Sequence, residues 1–281
     1  DMTLETSVTG AALQELKIVS LSLSDGNITL AGDGQVATDS MTGNVTLETN
    51  ISDLSLLPVE TAGLPKGVLQ AQTQLQGGVS PLSLEVDVTG TIRDIGNIPS
   101  PLVALLGETV SFNAKTLLSG HGVEIREAQV QGAGLDIYGK TAYDWKSKTV
   151  ISEAEASLPN LAAVGSAMNM PVAGAVVITT STEGALPKLA INAEIKGHGL
   201  TYNAMPPVEV LLDIAATDVP QKMKAAIMGR ADSGTASLLL NTQAALENNV
   251  VVIAPFVVSS GTNKISGEAS WPLKDGFPRM Q

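Results

Sequence analysis

The sequence predicts an all-β protein, built as an elongated, curved antiparallel sheet with a few short helices at the junctions between repeats. Three observations support this prediction. Apolar and polar residues alternate in many short segments, turn-forming residues separate these segments, and the pattern recurs along the chain. Because side chains along a strand have a period of two, such alternation is typical of strands with one face in water.

The alternation is clearest in LSLEVDVTG (82–90), where aliphatic residues fall on one face and polar or charged residues on the other. KLAINAEIKG (188–197) repeats this pattern. Turn signals such as Asp25-Gly26 and Gly77-Gly78 separate most of these segments. Strands joined by such short turns are antiparallel neighbours, and the spacing predicts about 18 to 20 of them.

Three stretches depart from the alternation. Ile98–Gly107 favours a short helix, and Leu158–Pro171 favours a short helix or a loop with Asn160 as the cap. Val219–Ala231 is predicted to form a helix of about two or three turns that begins near Pro220.

The chain contains an internal repeat. Gly32, Gly67, Gly77 and Gly90 recur at one constant offset as Gly139, Gly174, Gly184 and Gly197, and a third copy begins near Gly267. We therefore expect one continuous fragment over residues 1–281, with repeats at about 18–97 and 123–204 and a partial copy at 236–281. The second spacing, from Gly139 to Gly267, is longer than the first. We attribute the difference to the helix expected in Val219–Ala231. Stacked repeats of this kind build extended sheets.

Composition narrows the classes of function. The net charge of −12 argues against nucleic acid as a partner and against electrostatic docking on an anionic membrane. The chain has no Cys, and its two histidines, His121 and His198, lie beside glycines in what we interpret as exposed turns. Zinc, phosphate-loop and serine-hydrolase motifs are absent from the sequence. We predict no enzymatic activity, no cofactor and no metal site.

Both ends of the sequence interrupt the pattern. TLETSVTG (3–10) is strand-like almost from the first residue, and GEASWPLKDG (267–276) stops within a repeat. We therefore expect an internal piece of a longer protein. The longest apolar run, VVVIAPFVV (250–258), is too short to span a bilayer.

Two phrases of the sequence carry a family resemblance. The first, IYGKTAYDWKSKTVISEAEASLPNLAAV (137–164), places a short strand and a glycine before an alternating strand and a small-residue segment. The second has spaced glycines and prolines over 171–189, and the first copy repeats it over 64–84. In these features the whole chain resembles the TamB and AsmA-like envelope proteins, the repeating β-groove family of two-membrane bacteria.

The resemblance implies a U-shaped sheet, or β-taco, with an aliphatic interior. It implies a periplasmic location, within a protein anchored in the inner membrane, and a part in phospholipid transport and outer-membrane assembly. A TamA-like outer-membrane barrel would be a partner through parts of the protein outside this sequence.

The aliphatic rows are the candidate functional residues, because a continuous trough of them would shield the acyl chains of phospholipids from water. Exposing an acyl chain of about 16 carbons costs roughly 13 kcal/mol. The expected groove lining is Val19, Leu21, Leu23, Ile28, Leu30, Val45, Leu47, Ile51, Leu69, Leu75, Leu82, Leu84, Val86, Val88, Val110, Phe112, Val123, Ile125, Leu135, Ile137, Val176, Ile178, Leu189, Ile191, Ile195, Val208, Val210, Leu212, Ile214, Leu238 and Leu240.

Other interpretations of these rows stay open at the level of sequence. The aliphatic residues would also suit the closed core of a sandwich, or a structural or adhesive β-solenoid. An open groove would also suit a chaperone that pairs with barrel strands. A carbohydrate-active β-helix is disfavoured, because its coils would not produce hairpin turns at this spacing.

Overall fold

The computed structural model of the protein describes residues 3–12, 15–57, 65–220, 223–247 and 250–272. These residues form 17 β-strands and two short α-helices. The all-β antiparallel fold expected from the sequence is therefore confirmed. The chain divides into two units, residues 1–146 and 147–281.

Unit 1 contains an antiparallel sheet in which each strand pairs with the next strand in the chain. Its described elements are β1 (Thr3–Ala12), β2 (Glu15–Ser24), β3 (Ile28–Ala37), β4 (Thr42–Ile51), β5 (Lys66–Val79), β6 (Leu82–Gly96), α1 (Ser100–Leu106), β7 (Thr109–Ser119), β8 (Gly122–Gln131) and β9 (Asp136–Asp144). A 3₁₀ turn at Leu54–Leu56 follows β4. This turn and α1 lie at the same end of the sheet, whereas short turns join the described strands at the opposite end.

Unit 2 follows the same rule of pairing between successive strands. Its described elements are β10 (Thr149–Leu158), α2 (Leu161–Ala167), β11 (Val172–Ala185), β12 (Lys188–Tyr202), β13 (Val208–Pro220), β14 (Lys224–Ser233), β15 (Ala236–Glu247), β16 (Val250–Ser260) and β17 (Asn263–Pro272). Asn160 caps α2, as the sequence predicts, and α2 packs against β11.

The prediction of a helix over Val219–Ala231 is wrong. β13 extends to Pro220 and β14 begins at Lys224, while residues 221–222 lie outside the described part of the chain. Ala, Met and Lys favour a helix locally. The segment nevertheless alternates, and β14 hydrogen-bonds to a strand on each side. Pairing along both edges outweighs the local preference.

The bounds of the strands recur at the spacings of the sequence repeat. The shift that takes Gly32 to Gly139 also takes β2 and β4 to β8 and β10. The longer shift that takes Gly139 to Gly267 takes β7, β8 and β9 to β15, β16 and β17. The second shift is longer because the hairpin of β13 and β14 takes the place that α1 has in the first copy. The first copy is thus a meander of six strands, β2–β7, and the second copy, β8–β15, has the same plan with two additional strands.

No helix in the described residues is long and apolar enough to cross a membrane.

Candidate functional site: an aliphatic sheet face in each unit

The strand register of unit 1 brings aliphatic residues of successive strands side by side. Ile28, Ile51, Leu69, Ile92 and Val110 are direct register neighbours across β3 to β7. Directly opposed residues in an antiparallel sheet point to the same face, with their Cβ atoms about 4.5–5.5 Å apart. These five side chains therefore form one row, and parallel rows on the same face extend it along the strands.

Unit 2 has an equivalent row that crosses seven strands. It begins at Ile178 on β11 and ends at Ile265 on β17. The residues between them, in register order, are Ile195, Leu212, Gly229, Leu240 and Val258. Only the glycine interrupts the sequence of branched aliphatic side chains, and its two neighbours lie close to it, with Leu212 Cδ1 3.2 Å and Leu240 Cβ 3.3 Å from where its Cβ would be.

Charge is confined to the opposite face of each sheet. Lys115 and Glu127 are cross-strand partners 2.9 Å apart on the polar face, and Lys196 pairs with Glu194 on the same strand. Each glutamate raises the pKa of its lysine, mainly through the direct hydrogen bond. Among the register-paired positions that the structure describes, the aliphatic faces carry no Asp, Glu, Lys, Arg or His.

The register places nearly all the residues of the expected groove lining on these two faces. Val19 falls in a β-bulge between Ile18 and Leu21, and its side chain lies outside the described residues. Leu135 is half-buried and lies immediately before β9, where its carbonyl accepts a hydrogen bond from Gly132 N at 2.8 Å. The loop before β9 bonds to the end of α1, with Gly134 N donating to Leu105 O at 2.8 Å.

Several residues of the aliphatic faces were missed by the sequence analysis. They are Ile18, Val36, Ile92, Leu118 and Val130 in unit 1, and Ile227, Ile253, Val258 and Ile265 in unit 2. The signal was present for most of them, since they continue the period-two pattern of their strands. Ile18 lies on the aliphatic face because of the bulge in β2, and the sequence does not reveal that bulge.

Glycines on the aliphatic face of unit 1 allow large side chains of the next strand to lie across them. Gly90 pairs with Phe112 in the register, and a Cβ at Gly90 would lie 2.5 Å from Cζ of the ring. Its repeat equivalent in unit 2, Gly197, has Leu200 Cδ1 at the same distance. The glycines therefore let neighbouring side chains cover the backbone.

These faces are only partly covered. In the described part of the chain, the buried hydrophobic residues are Ile51, Val110 and Ala216, and no large side chain is fully enclosed. On these faces Ile137 is 37% exposed, Leu238 47% and Ile265 69%. Neighbouring apolar side chains that stay exposed in this way are typical of a binding surface.

The two histidines form no shared site. We expected His198 in an exposed turn, but it lies in β12. It sits at a bulge, where its Nδ1 is 3.0 Å from Glu209 Oε2. The backbone N–H of Gly199 and then His198 lower the pKa of Glu209. His121 lies in the exposed turn after β7. The described residues contain no cluster of His, Asp and Glu that would hold a metal ion.

Comparison with protein-family models, curated proteins and solved structures gives no significant match.

Proposed function

We propose that the aliphatic faces bind phospholipid acyl chains, and that the chain is a segment of a TamB or AsmA-like protein that conducts phospholipids between the inner and outer membranes. The observation that carries this proposal is that charge is confined to one face of each sheet, while the opposite face is lined mainly by aliphatic side chains that are only partly covered. The role needs surface alone and no catalytic group.

The length of the rows suits an acyl chain. With strands about 4.8 Å apart, the seven-strand row of unit 2 is about 29 Å long. One leaflet of a bilayer has a hydrocarbon thickness of about 15 Å. Burying each CH₂ group of a lipid recovers about 0.8 kcal/mol. A face of this size therefore offsets most of the roughly 13 kcal/mol that an acyl chain of about 16 carbons costs in water.

The envelope setting rests on the resemblance of residues 137–164 and 171–189 to the TamB and AsmA-like family. The resemblance implies a continuous antiparallel sheet with an aliphatic interior, and an antiparallel sheet with one aliphatic face in each unit supports the proposal. We accordingly place the protein in the periplasm of a two-membrane bacterium, with an inner-membrane anchor and a TamA-like barrel partner in the parts outside this sequence.

Site-specific photo-crosslinking tests the proposal. Photoreactive residues at Leu84 in unit 1 and at Ile191 in unit 2 lie on the aliphatic faces, whereas the adjacent Glu85 and Asn192 lie on the polar faces. We expect the first pair to capture phospholipid in cells and the second pair to capture none. Mass spectrometry of a solvent extract of the purified protein identifies the lipid.

Equal labelling of both faces would contradict the proposal. Capture of outer-membrane barrel strands at Leu84, without lipid, would instead favour the chaperone role. Absence of both lipid and protein adducts would favour the structural or adhesive role.

A further inference from the structure

A recess of about 830 Å³ lies on the polar face of unit 1, opposite the aliphatic face. It crosses six strands, from Thr29 on β3 to Gln131 on β8. Twelve of its sixteen lining residues come from two register rows of the polar face, one through Asn50 and Gln70 and the other through Gln72 and Gln129. The other four, Thr49, Ala71, Gly90 and Phe112, alternate with these along their strands. With strands about 4.8 Å apart, the recess is about 24 Å long.

The chemistry of this recess is that of uncharged hydrogen-bonding groups. Amides of Asn and Gln and hydroxyls of Thr and Ser dominate the lining, Glu48 is its one charged residue, and it contains no Lys or Arg. Amides both donate and accept hydrogen bonds. Among the described residues, the side-chain amides of Asn50, Gln70 and Gln72 bond to no other group of the protein. They are therefore available to a ligand.

The amides at the β8 end are held in fixed orientations. Gln129 Nε2 and Gln131 Nε2 each donate to a carboxylate oxygen of Asp136 at 3.3 Å, and Asn113 Nδ2 donates to Gln129 Oε1 at 3.3 Å. Side chains that are already ordered lose less conformational entropy when a ligand binds.

We propose that this recess binds a neutral, hydroxyl-rich chain, an oligosaccharide that extends across the strands. Sugar hydroxyls donate and accept hydrogen bonds, as the free amides of Asn50, Gln70 and Gln72 do. An anionic ligand would meet Glu48 and no cation. An extended peptide would find its main-chain partners at a sheet edge, not on a face. The proposed site lies on the opposite face from the lipid site and is independent of it.

Isothermal titration of the full chain with neutral hexasaccharides tests this site. The probes are cellohexaose, maltohexaose and the hexamer of N-acetylglucosamine. We expect at least one to bind with a Kd below about 1 mM, and Gln70→Ala/Gln72→Ala to weaken its binding about tenfold, as the loss of two ligand hydrogen bonds predicts. Gln74→Ala/Gln76→Ala is the matched control, because both residues lie on the same strand and face but outside this recess. It should leave the Kd unchanged.

Three results would overturn the proposal. The first is that none of the hexasaccharides binds at about 1 mM. The second is that both double variants weaken sugar binding equally. The third is that a sulfated hexasaccharide or an unfolded peptide binds more tightly than the neutral sugars. Lipid crosslinking at Leu84 should be the same in both double variants, so a failure of the sugar site is distinguishable from a failure of the lipid site.

Discussion

Asp53 and Asn160 occupy equivalent positions in the first two copies of the repeat, and each caps the helical turn that follows its strand. Asp53 Oδ1 accepts a hydrogen bond from Ser55 N at 2.9 Å, and Asn160 Oδ1 accepts one from Ala162 N at 3.0 Å. The two caps have the same geometry, but only Asp53 titrates. The repeat thus provides an internal comparison between a charged and a neutral cap.

Asp53→Asn should make the stability of the protein less sensitive to acid. The Ser55 hydroxyl and backbone N–H lower the pKa of Asp53 from its ordinary value of 3.8. The pKa is lower in the folded chain than in the unfolded chain, so the carboxylate stabilises the fold above about pH 4 and this contribution is lost as pH falls through the folded pKa. Melting temperatures at about pH 7 and pH 3 measure the effect. Asn160→Asp should produce the opposite change, and an unaltered pH dependence in both variants would contradict the assignment.

The fold and the aliphatic faces were largely predictable because period-two alternation is a local signal, and each strand carries its own copy. The helix at Val219–Ala231 failed because helix propensity is also local, whereas the pairing of β14 on both edges depends on distant residues. The polar recess depends on how side chains of six strands combine, and no short segment encodes that.

Gly90→Ala should destabilise unit 1 by about 1–3 kcal/mol. The added Cβ would lie 2.5 Å from Phe112 Cζ and 2.7 Å from Gln70 O. The ring can rotate away, but the carbonyl oxygen belongs to the adjacent strand and cannot move without distorting the sheet. Urea denaturation measures the change. Gly120→Ala is the control, since nothing lies within 4 Å of its Cβ position, and it should alter stability by less than about 0.5 kcal/mol. Similar losses in the two variants would contradict the close packing at Gly90.

Leu84→Arg should abolish lipid capture in unit 1 while leaving the β content unchanged. Leu84 is half-buried and has Leu118 as its register partner on the aliphatic face. A guanidinium there would extend towards water, so the sheet tolerates it, but an acyl chain would have to desolvate the charge. Lipid adducts from a photoreactive Val86 and far-UV circular dichroism measure the two effects. Glu85→Arg on the polar face is the control and should retain lipid. Full lipid capture by Leu84→Arg would contradict the acyl-chain role of this face.

Replacement of residues 204–236 by residues 97–108 should give a folded chain that lacks β13 and β14. This replacement shortens the chain by the difference between the two repeat spacings, which run from Gly32 to Gly139 and from Gly139 to Gly267. β12 would pair with β15 as β6 pairs with β7. Under the same shifts, the pair Gly90 and Phe112 becomes Gly197 and Leu240, so a large apolar side chain again lies over a glycine.

Removing two strands preserves the direction of every later strand, whereas removing one strand reverses it. The experiment tests this difference between an even and an odd number of removed strands. Deletion of residues 204–222 removes β13 alone and is the control. It would make β14 parallel to β12 with too short a connection, because parallel neighbours need a crossover of a dozen or more residues. We expect a cooperative urea transition and strand-rich circular dichroism for the two-strand replacement, and aggregation or loss of cooperativity for the control. If both chains unfold, β13 and β14 are required for the sheet of unit 2 and are not an insertion into a six-strand repeat.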